Sequence, residues 1–395
     1  MHKRSFVRRL TTIGAFSLGL AGAAQVLAQE TIRIGWLSSL TGPLSTGAIA
    51  ENKGVEFAVD QLNKAGGISG RKLELLTRDT AGDPTKAVNF ANQLVFQDKV
   101  HFILGPVNSG EALPTVPIVA RAGVPNLLIT ALESQTDPVK YPRAFRTIFV
   151  NEQWLRASHN YAINVLKAKK IAIIGDTSGY GTATVKQSTE MLAAIGITPV
   201  YTVLVDSNRT SLTDEMAKAK AAGAEIVMPW TASTGLLARI LNARGDMQWD
   251  VPVLGHVGIM STAMKALLNK PEYWEKAYAV GLKNMTYGAD GKLPESTRQL
   301  MEAIRPTLGG GTIDFSFGWI ATGYDLVKVI EHAVKTAGST DPAAIQKALE
   351  GTRDFKGYYA TYTWGPSIRN GFQDSDLVVN VANSFKDGSY QRAPQ

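Results

Sequence analysis

Residues 31–63 read TIRIGWLSSLTGPLSTGAIAENKGVEFAVDQLN and contain the unit from which the fold is predicted. The first part, IRIGWLS, is typical of a buried strand, and the last part, AIAENKGVEFAVDQLN, is typical of an amphipathic helix. Between them, Gly42 and Gly47 have the spacing of a phosphate-binding loop. Such a loop also needs Lys and then Ser or Thr after its second glycine, but Ala48 and Ile49 stand there. The loop is therefore not expected to hold a nucleoside triphosphate.

The same order of strand and helix is repeated along the chain. Apolar strand runs alternate with amphipathic helices up to about residue 131, and the pattern then restarts and continues to about residue 256. This alternation predicts βαβ units and parallel sheets. Two successive sets of such units predict an α/β fold with two doubly wound domains rather than one large sheet. The last third is less regular, with helices expected near 294–307, 318–337 and 341–350.

The first 28 residues are interpreted as a secretory signal peptide. Four basic residues and no acid lie within the first ten positions, an apolar run follows from Ile13 to Ala24, and cleavage is expected after Ala28. The apolar run is too short to span a bilayer, so we favour a signal peptide over a single anchoring helix. The chain contains no cysteine, so neither a disulfide nor a lipid-bearing N-terminal cysteine is expected. We therefore expect a periplasmic protein without a lipid anchor.

Charge and length narrow the class of protein further. The formal net charge is +7, and removal of the four basic residues of the signal peptide lowers it to +3. Lys and Arg are scattered between acids, without the basic and aromatic stripe that follows a nucleic-acid backbone, so no nucleic-acid partner is expected. Cleavage would leave 367 residues, a length that suits about two domains.

The sequence contains no residue pattern typical of an enzyme, a metal site or a cofactor site. None of the five His residues has a second His or an acid at metal-ligand spacing, and no G-x-S-x-G nucleophile motif occurs. Gly179 and Gly181 begin a dinucleotide fingerprint, but Thr184 stands at its third glycine position. We therefore expect no metal, no cofactor and no catalysis.

Small and polar residues gather where the predicted strands end. In open α/β sheets this edge is where ligands bind, and two such edges that face one another would form a cleft. Ser109 lies at the start of a predicted helix, where free N–H groups and the helix dipole attract an anion. Thr130 and Ala131 follow another strand, and their N–H groups could meet the same anion. The alternatives are a helix cap for Ser109 and a plain turn for the other two.

Three aromatic residues also lie at these strand ends. Tyr180 stands between two glycines, which leaves little local packing for its ring and favours a role in binding. Trp36 ends the first strand, and Trp230 ends a later one. A large ring at a strand end often only caps the core, so this alternative stays open for both Trp residues beside ligand contact.

Longer stretches of the chain resemble one known family. They are IRIGWLSSLTGPLS, NKAGGISGRKLELLTRDTAGDPTKAVNFANQLV, FILGPVNSG, AFRT, KKIAIIGDTSGYG and GYDLVKVIEHAVKTAG. Together they resemble the type I periplasmic binding proteins that serve ABC importers, in particular the Leu/Ile/Val-binding group that transports branched-chain amino acids. The resemblance covers nearly the whole chain after residue 28.

The resemblance implies the type I periplasmic binding protein fold, in which two doubly wound parallel-sheet lobes are joined by a three-stranded hinge. The first lobe is expected to comprise residues 29–148 and 280–374, and the second lobe residues 149–279 and 375–395. The expected crossings lie near Ile148–Asn151, Ala279–Lys283 and Gly371–Asp376. The loop with Gly42 and Pro43 would then form a wall of the cleft between the lobes instead of a phosphate cradle.

The resemblance also implies roles for individual residues. In amino-acid-binding members of the family, a hydroxyl and backbone N–H groups of the first lobe hold the carboxylate of the solute, and the matching residues here are Ser109, Thr130 and Ala131. A tyrosine of the second lobe, which matches Tyr180, covers the ligand. The full set of expected ligand contacts is Trp36, Ser109, Thr130, Ala131, Tyr180, Trp230 and His256.

The chain departs from that family at the position of the ammonium group. Where the amino-acid-binding members have an acid, this chain has the neutral residues His256–Gly258. Glu133 and Asp176 are other acids that would have to substitute for it. Because a buried ammonium without a partner is costly, we expect a small carboxylate that lacks the amine, with an aromatic body in view of the three aromatic candidates. An amide or urea-like solute ranks next.

These observations predict a periplasmic solute receptor, expected to be a monomer, that delivers its ligand to an inner-membrane ABC permease and performs no chemistry. Three alternatives stay open. The receptor could bind a branched-chain amino acid, it could be a sensory module that signals to a membrane receptor, or the chain could be an exported α/β enzyme.

Overall fold

The first sheet is formed by the N-terminal strand–helix units. A computed structural model describes residues 30–372 and 374–395 of the chain, so the predicted signal peptide lies outside the described residues. The elements are β1 (Ile32–Ser38), α1 (Ser45–Lys64), β2 (Leu73–Asp79), α2 (Pro84–Asn92), β3 (Phe102–Leu104), α3 (Ser109–Arg121), β4 (Asn126–Leu128) and β5 (Ala144–Arg146). The strands pair in parallel in the order β2-β1-β3-β4-β5.

The second sheet is formed by the middle of the chain and one returning strand. Its first elements are α4 (Asn151–Asn160), β6 (Ile171–Asp176), α5 (Gly179–Ala194), β7 (Tyr201–Val205), α6 (Thr213–Ala221), β8 (Ile226–Trp230), α7 (Thr234–Asp246), β9 (Val253–Gly255), α8 (Met264–Leu267) and β10 (Ala277–Leu282). The last third adds β11 (Thr286–Tyr287), α9 (Glu295–Ile304), α10 (Phe317–Ala337), α11 (Pro342–Glu350), β12 (Phe355–Lys356), β13 (Thr361–Tyr362), β14 (Leu377–Val381) and β15 (Tyr390–Gln391). The order is β14-β10-β9-β8-β6-β7. β14 runs antiparallel to β10, so this sheet is mixed at one edge rather than purely parallel as predicted.

Helices cover both faces of each sheet, as expected for doubly wound layers. On one face of the first sheet, Ile34 and Phe102 pack with residues of α1 and α10. On the other face, Leu37 and Ile103 pack with residues of α2 and α3. Two further cores lie on the two faces of the second sheet. The alternation of side chains along each strand therefore sends successive residues to different cores.

The helices α1 and α10 cross at two glycines that let their backbones approach closely. A Cβ atom at Gly54 would overlap the carbonyl of Ile320, and a Cβ atom at Gly323 would overlap the carbonyl of Glu51. Both obstacles are backbone atoms, which cannot rotate aside as a side chain can. The crossing therefore fixes which residues of the two helices face the carboxyl edge of the first sheet.

The connections between the two sheets run side by side. Phe149, in the first connection, and Phe372, in the third, have ring centroids 4.4 Å apart. Leu282, the last residue of β10, pairs with Leu377, the first residue of β14. β10 stays in the second sheet up to Leu282, so the second connection starts there. This is near the end of the predicted crossing, Ala279–Lys283. That these three connections bend as a hinge stays a prediction.

The C-terminal tail contacts both groups of elements. The Asp387 carboxylate accepts two hydrogen bonds from the Arg305 guanidinium, at 3.0 and 2.9 Å, and one from the N–H of Ile313 at 2.9 Å. The N–H of Phe317 donates to the carbonyl of Gly388 at 2.7 Å. Ala393, in contrast, belongs to a core of the second sheet. The tail thus lies along the boundary because β15 pairs with β11 there, whereas residues 375–395 were predicted to belong wholly to the second lobe.

Within residues 30–372 and 374–395, no helix is both long enough and apolar enough to cross a membrane.

Gly54→Ala and Gly323→Ala are each expected to lower the free energy of unfolding by about 1–3 kcal/mol, the usual cost of overpacking. The added methyl group must push one helix backbone away from the other. Gly235→Ala in α7 is the control, since a Cβ there would meet only the flexible end of Arg239 at 3.3 Å, and Ala is the better helix former. The free energy of unfolding of all three variants is measured by chemical denaturation. If Gly54→Ala and Gly323→Ala are as stable as the wild type, this explanation of the helix crossing is contradicted.

Candidate functional site

A cavity of about 120 Å³ lies where the carboxyl edges of the two sheets meet. Because a water molecule needs roughly 10–15 Å³ measured in this way, the cavity has room for a solute on the order of ten non-hydrogen atoms. Five of the seven predicted ligand contacts line it, namely Ser109, Thr130, Ala131, Tyr180 and His256. That these five residues contact a ligand stays a prediction.

The first turn of α3 presents free hydrogen-bond donors to this cavity. Asn108 caps the helix, and its side chain accepts from the N–H of Gly110 at 2.6 Å. Ser109 is therefore not the cap, and the alternative that its hydroxyl only caps the helix is wrong. Within the described part of the chain, neither the N–H nor the hydroxyl of Ser109 has a hydrogen-bond partner. A helix start with free donors favours an anion.

A buried guanidinium lies behind the turn at Thr130 and Ala131. Arg146 donates to the carbonyl of Thr130 and, at 2.6 Å, to the carbonyl of Leu132. Its side chain is fully buried, and this burial lowers its pKa to about 10, so it remains a cation at neutral pH. The charge of Glu133 raises this pKa again in part, but among the described residues no carboxylate is within ion-pair distance of Arg146. We call the first turn of α3, Thr130, Ala131 and Arg146 the anion pole of the cavity.

The hydroxyl of Thr130 is already engaged inside the protein. It donates to the side-chain oxygen of Gln135 at 2.5 Å, and the amide of Gln135 donates to the carbonyl of Ser109 at 2.7 Å. Gln135 thereby connects Ser109 and Thr130, two of the predicted ligand contacts, by hydrogen bonds. The hydroxyl of Ser109 and backbone N–H groups remain for an anion, so Thr130 would act through its backbone.

Three aromatic rings form a wall on the side of the second sheet. His256 lies against Tyr180 and Trp154, with ring centroids 5.3 and 5.9 Å apart and edge-to-face geometry in both pairs. Tyr180 belongs to the first turn of α5 rather than to a glycine loop, since Ser178 caps that helix. Burial raises the pKa of the Tyr180 hydroxyl. Within the described residues, this hydroxyl and the indole N–H of Trp154 are buried without a hydrogen-bond partner.

His256 is a neutral donor in this wall. Its Nδ1 accepts from the N–H of Gly258 at 3.1 Å, so the neutral ring carries its hydrogen on Nε2. Burial lowers the pKa of the ring to about 4. His256 therefore offers a hydrogen bond without a charge, which suits a polar solute group but does not replace the acid that amino-acid binders use.

Trp36 and Trp230, the other two predicted contacts, do not line the cavity. Trp36 is fully buried in the core beneath α1 and α10, and its indole N–H donates to Asn52 at 3.0 Å. Trp230 is 1 % exposed and packs with Ile173 and other residues of the second sheet and its helices. Both Trp residues are within strands, where side chains point into the helix layers. We therefore remove both Trp residues from the proposed site. They cap the hydrophobic cores, which was the alternative interpretation.

The loop at 40–47 lines the cavity without cradling a phosphate. Pro43, Thr46 and Gly47 are among its lining residues. Gly42 has φ +81°, and a Cβ atom there would come within 2.7 Å of the carbonyl of Ala81. A Cβ at Gly47 would touch the ring of Trp319 at 3.4 Å. Gly42 thus allows a tight turn, and Gly47 allows the indole ring of Trp319 to approach closely.

Sequence reasoning missed an acid in the cavity wall. Glu133 and Asp176 do not line the cavity, since Glu133 accepts from the N–H of Glu152 at 3.0 Å and Asp176 is bound by Ser178 and Thr231. Glu51 does line it, from α1. The signal was available, because Glu51 falls on the buried stripe of α1 at helical spacing from Val55, Ala58 and Leu62. An acid in an apolar stripe is unusual.

Sequence reasoning also missed three aromatic lining residues, Trp154, Trp319 and Tyr359. They lie on α4, on α10 and before β13, in parts of the chain that the strand-edge rule does not reach. No sequence signal distinguishes them from core aromatics.

The two sides of the cavity are in contact at its mouth. Gly110 is the second residue of α3 and Gly179 is the first residue of α5, and a Cβ atom at Gly179 would lie 3.0 Å from the Cα of Gly110. The exposed side chain of Leu113 is 3.7 Å from the same point. The first turns of the two helices are thus in close contact, and a larger side chain at position 179 would have to push Gly110 aside.

Comparisons with known proteins identify one family over most of the chain. Residues 31–381 match the family model described as periplasmic binding protein. A Leu/Ile/Val-binding protein homologue of Brucella melitensis is 32% identical over 355 residues, which cover 89% of this chain and 90% of the relative.

Two solved structures show the same fold at low sequence identity. The substrate-binding protein of a branched-chain amino acid transporter from Streptococcus pneumoniae, in complex with isoleucine, has a TM-score of 0.78 at 22% identity and covers 91% of this chain and 97% of that one. An ABC transporter solute-binding protein of Rhodopseudomonas palustris, in complex with 4-hydroxybenzoate, has a TM-score of 0.75 at 18% identity, with coverage of 92% and 96%.

The neutral state of the half-buried His256 predicts a pH dependence of stability. The pKa of His256 in the folded protein is about 4, below its ordinary value of 6.5. Between these two pH values the ring is therefore protonated in the unfolded chain and neutral in the folded protein. Stability from this group is present above about pH 6.5 and is lost as the pH falls towards about 4. We expect His256→Phe to be less sensitive to acid than the wild type in this window, as measured by unfolding at several pH values. His159, whose pKa burial also lowers to about 4, is common to both proteins, and parallel pH curves would contradict the prediction.

Proposed function

The chain belongs to the periplasmic binding protein family, and on this premise we propose that it captures a small carboxylate between its lobes and delivers it to an inner-membrane ABC permease. Membership confirms the predicted fold class, and the names of the relatives confirm a binding protein rather than an enzyme. The transport role, the periplasmic monomer and the ligand class belong to the proposal.

The observation that carries the proposal is the anion pole. Free donors of the first turn of α3 and the buried cation of Arg146 act on the same side of the cavity. Within the described residues, no carboxylate pairs with that cation. Arg146 already donates to two carbonyls and to the Thr136 hydroxyl, so a solute carboxylate would add a negative charge near a buried cation that has no ion-pair partner. Hydrogen bonds to a charged group are about twice as strong as neutral ones.

The rest of the cavity supports an apolar, flat or branched solute body. Its aromatic lining consists of Trp154, Tyr180, His256, Trp319 and Tyr359. Aromatic rings bind flat groups by offset stacking or edge contacts. The volume of about 120 Å³ admits benzoate-sized and leucine-sized acids alike. Structural neighbours that hold isoleucine and 4-hydroxybenzoate indicate that this fold accommodates both shapes.

A branched-chain amino acid is the second candidate. Its support is the Leu/Ile/Val-binding homologue with 32% identity. The absence of an acid at His256–Gly258 argues against it, whereas the presence of Glu51 in the cavity wall provides a carboxyl group from the other lobe. The chemical difference between the two candidates is therefore the solute group that Glu51 would meet.

Capture would proceed by closure of the lobes on the solute. The ligand contacts come from both sides of the cavity, so a solute that touches both binds the closed arrangement preferentially and shifts the population towards it. The contact of Gly110 with Gly179 would form only in that arrangement. The closed receptor is then the form that a permease can distinguish from the empty one.

Ser109→Ala tests the anion pole. If the hydroxyl meets the solute carboxylate, the substitution should weaken binding by about 1.5–3 kcal/mol, measured by calorimetry with the carboxylate that gives the largest thermal shift in a screen. The melting temperature of the empty protein should stay the same, because Asn108 provides the helix cap. Unchanged affinity together with a lower melting temperature would mean that Ser109 is structural.

Closure itself is tested by small-angle scattering. A saturating carboxylate should reduce the radius of gyration of the wild type. Gly179→Leu places a side chain where only 3.0 Å separates a Cβ from Gly110, so this variant should remain expanded with ligand present and should bind more weakly. A wild-type scattering curve that does not change at saturation would contradict the closure mechanism.

A further inference from the structure

A carboxyl group lies in the wall of the cavity without a partner. Glu51 is 4 % exposed and lines the cavity from α1. Within residues 30–372 and 374–395 its side chain forms no ion pair and no hydrogen bond. Burial raises its pKa well above the ordinary value, and no donor or cation lowers it again. The protein thus leaves this acid uncompensated at the place where a solute would lie.

The neighbouring groups do not provide the missing partner. The described residues that line the cavity include no Lys and no Arg, and Arg146 lies behind the anion pole. Tyr359 is close to Glu51, since burial first and then the Glu51 charge raise the pKa of the Tyr359 hydroxyl. The hydroxyl of Thr322 donates to the carbonyl of Gly318 in its own helix at 2.9 Å.

A structural role does not account for an acid at this position. The stripe of α1 that faces inward is otherwise made of Ala, Gly, Val and Leu, and a leucine at position 51 would be a comparable fit at no desolvation cost. A buried carboxyl without hydrogen bonds destabilises a protein by several kcal/mol in general. Native proteins keep such groups mainly at functional sites.

We propose that Glu51 selects the solute by accepting a hydrogen bond from a second polar group on it, a hydroxyl or an amine, while the anion pole holds the carboxylate. This inference rests on the proposed function, because it takes the solute to be a carboxylate bound in the cavity. It names the ligand class more closely, as a small acid with a donor group. An acid without such a donor would leave Glu51 buried and unpaired, and would bind more weakly.

Two matched pairs of probes test this proposal by calorimetry. Benzoate and 4-hydroxybenzoate differ by a hydroxyl, and 4-methylpentanoate and leucine differ by an amine. In at least one pair, we expect the compound with the donor group, 4-hydroxybenzoate or leucine, to bind the wild type at least tenfold more tightly than its partner without that group. Glu51→Leu should abolish that preference by weakening the donor-bearing member about tenfold or more and leaving the other unchanged.

Glu51→Gln separates the two kinds of donor. The glutamine side chain keeps an acceptor oxygen but has no charge, so a preference for the hydroxyl should largely survive, whereas a preference for the amine should be lost. Glu56→Leu and Glu56→Gln are the matched controls, because Glu56 is an exposed residue of the same helix. Neither control should alter the affinity for any probe.

The melting temperature of the empty protein gives an independent readout. Because Glu51→Leu removes a buried carboxyl group that has no partner, this variant should be at least as stable as the wild type. A clear decrease in its melting temperature would overturn the proposal by showing that Glu51 is structural. A wild type without a preference in either pair, or a preference that survives in Glu51→Leu, would also overturn it. Failure of all four probes to bind the wild type contradicts the proposed ligand class instead, and the melting temperature then decides the role of Glu51.

Discussion

The close crossing of α1 and α10 is the constraint on which the binding site depends. Gly54 and Gly323 each face a backbone carbonyl of the opposite helix, so neither position has space for a side chain. This contact fixes the rotation of both helices about their axes. The same rotation directs Glu51, from α1, and Trp319, from α10, into the cavity wall. The close approach at the two glycines therefore influences which side chains line the cavity.

The cavity has two poles of opposite character. Free donors at the start of α3 with Arg146 behind them favour negative charge, and the unpaired carboxyl of Glu51 favours a donor. Between them lie rings such as Tyr180 and His256, whose edges and faces suit an apolar body. Arg146 is hydrogen-bonded to the carbonyls of Thr130 and Leu132, whereas the carboxyl of Glu51 has no cation or donor that lowers its pKa again.

Site residues at the starts of helices were predictable from sequence, whereas two strand residues were wrongly assigned to the site. Ser109 and Tyr180 follow strand ends at the start of a helix, where a side chain can reach the cleft, and both line the cavity. Trp36 lies two residues before the end of β1 and Trp230 is the last residue of β8, and the pleat sends both rings into the helix layers. Because the side-chain period of a strand is two, an error of one position moves a residue from the ligand site to the core.

By itself, the sequence determined the alternation of strands and helices, the two sets of βα units, the family and the strand ends that meet at the cleft. These features follow from local periodicity and from the positions of glycine and capping residues, which act over a few residues. Only the tertiary structure decided that Glu51 faces a cavity, that Arg146 lies behind the turn at Thr130 and Ala131, and that the C-terminal tail contacts elements packed on both sheets. Each of these depends on contacts between segments far apart in the chain, such as the approach of α1 to α10, and no local pattern records such a distance.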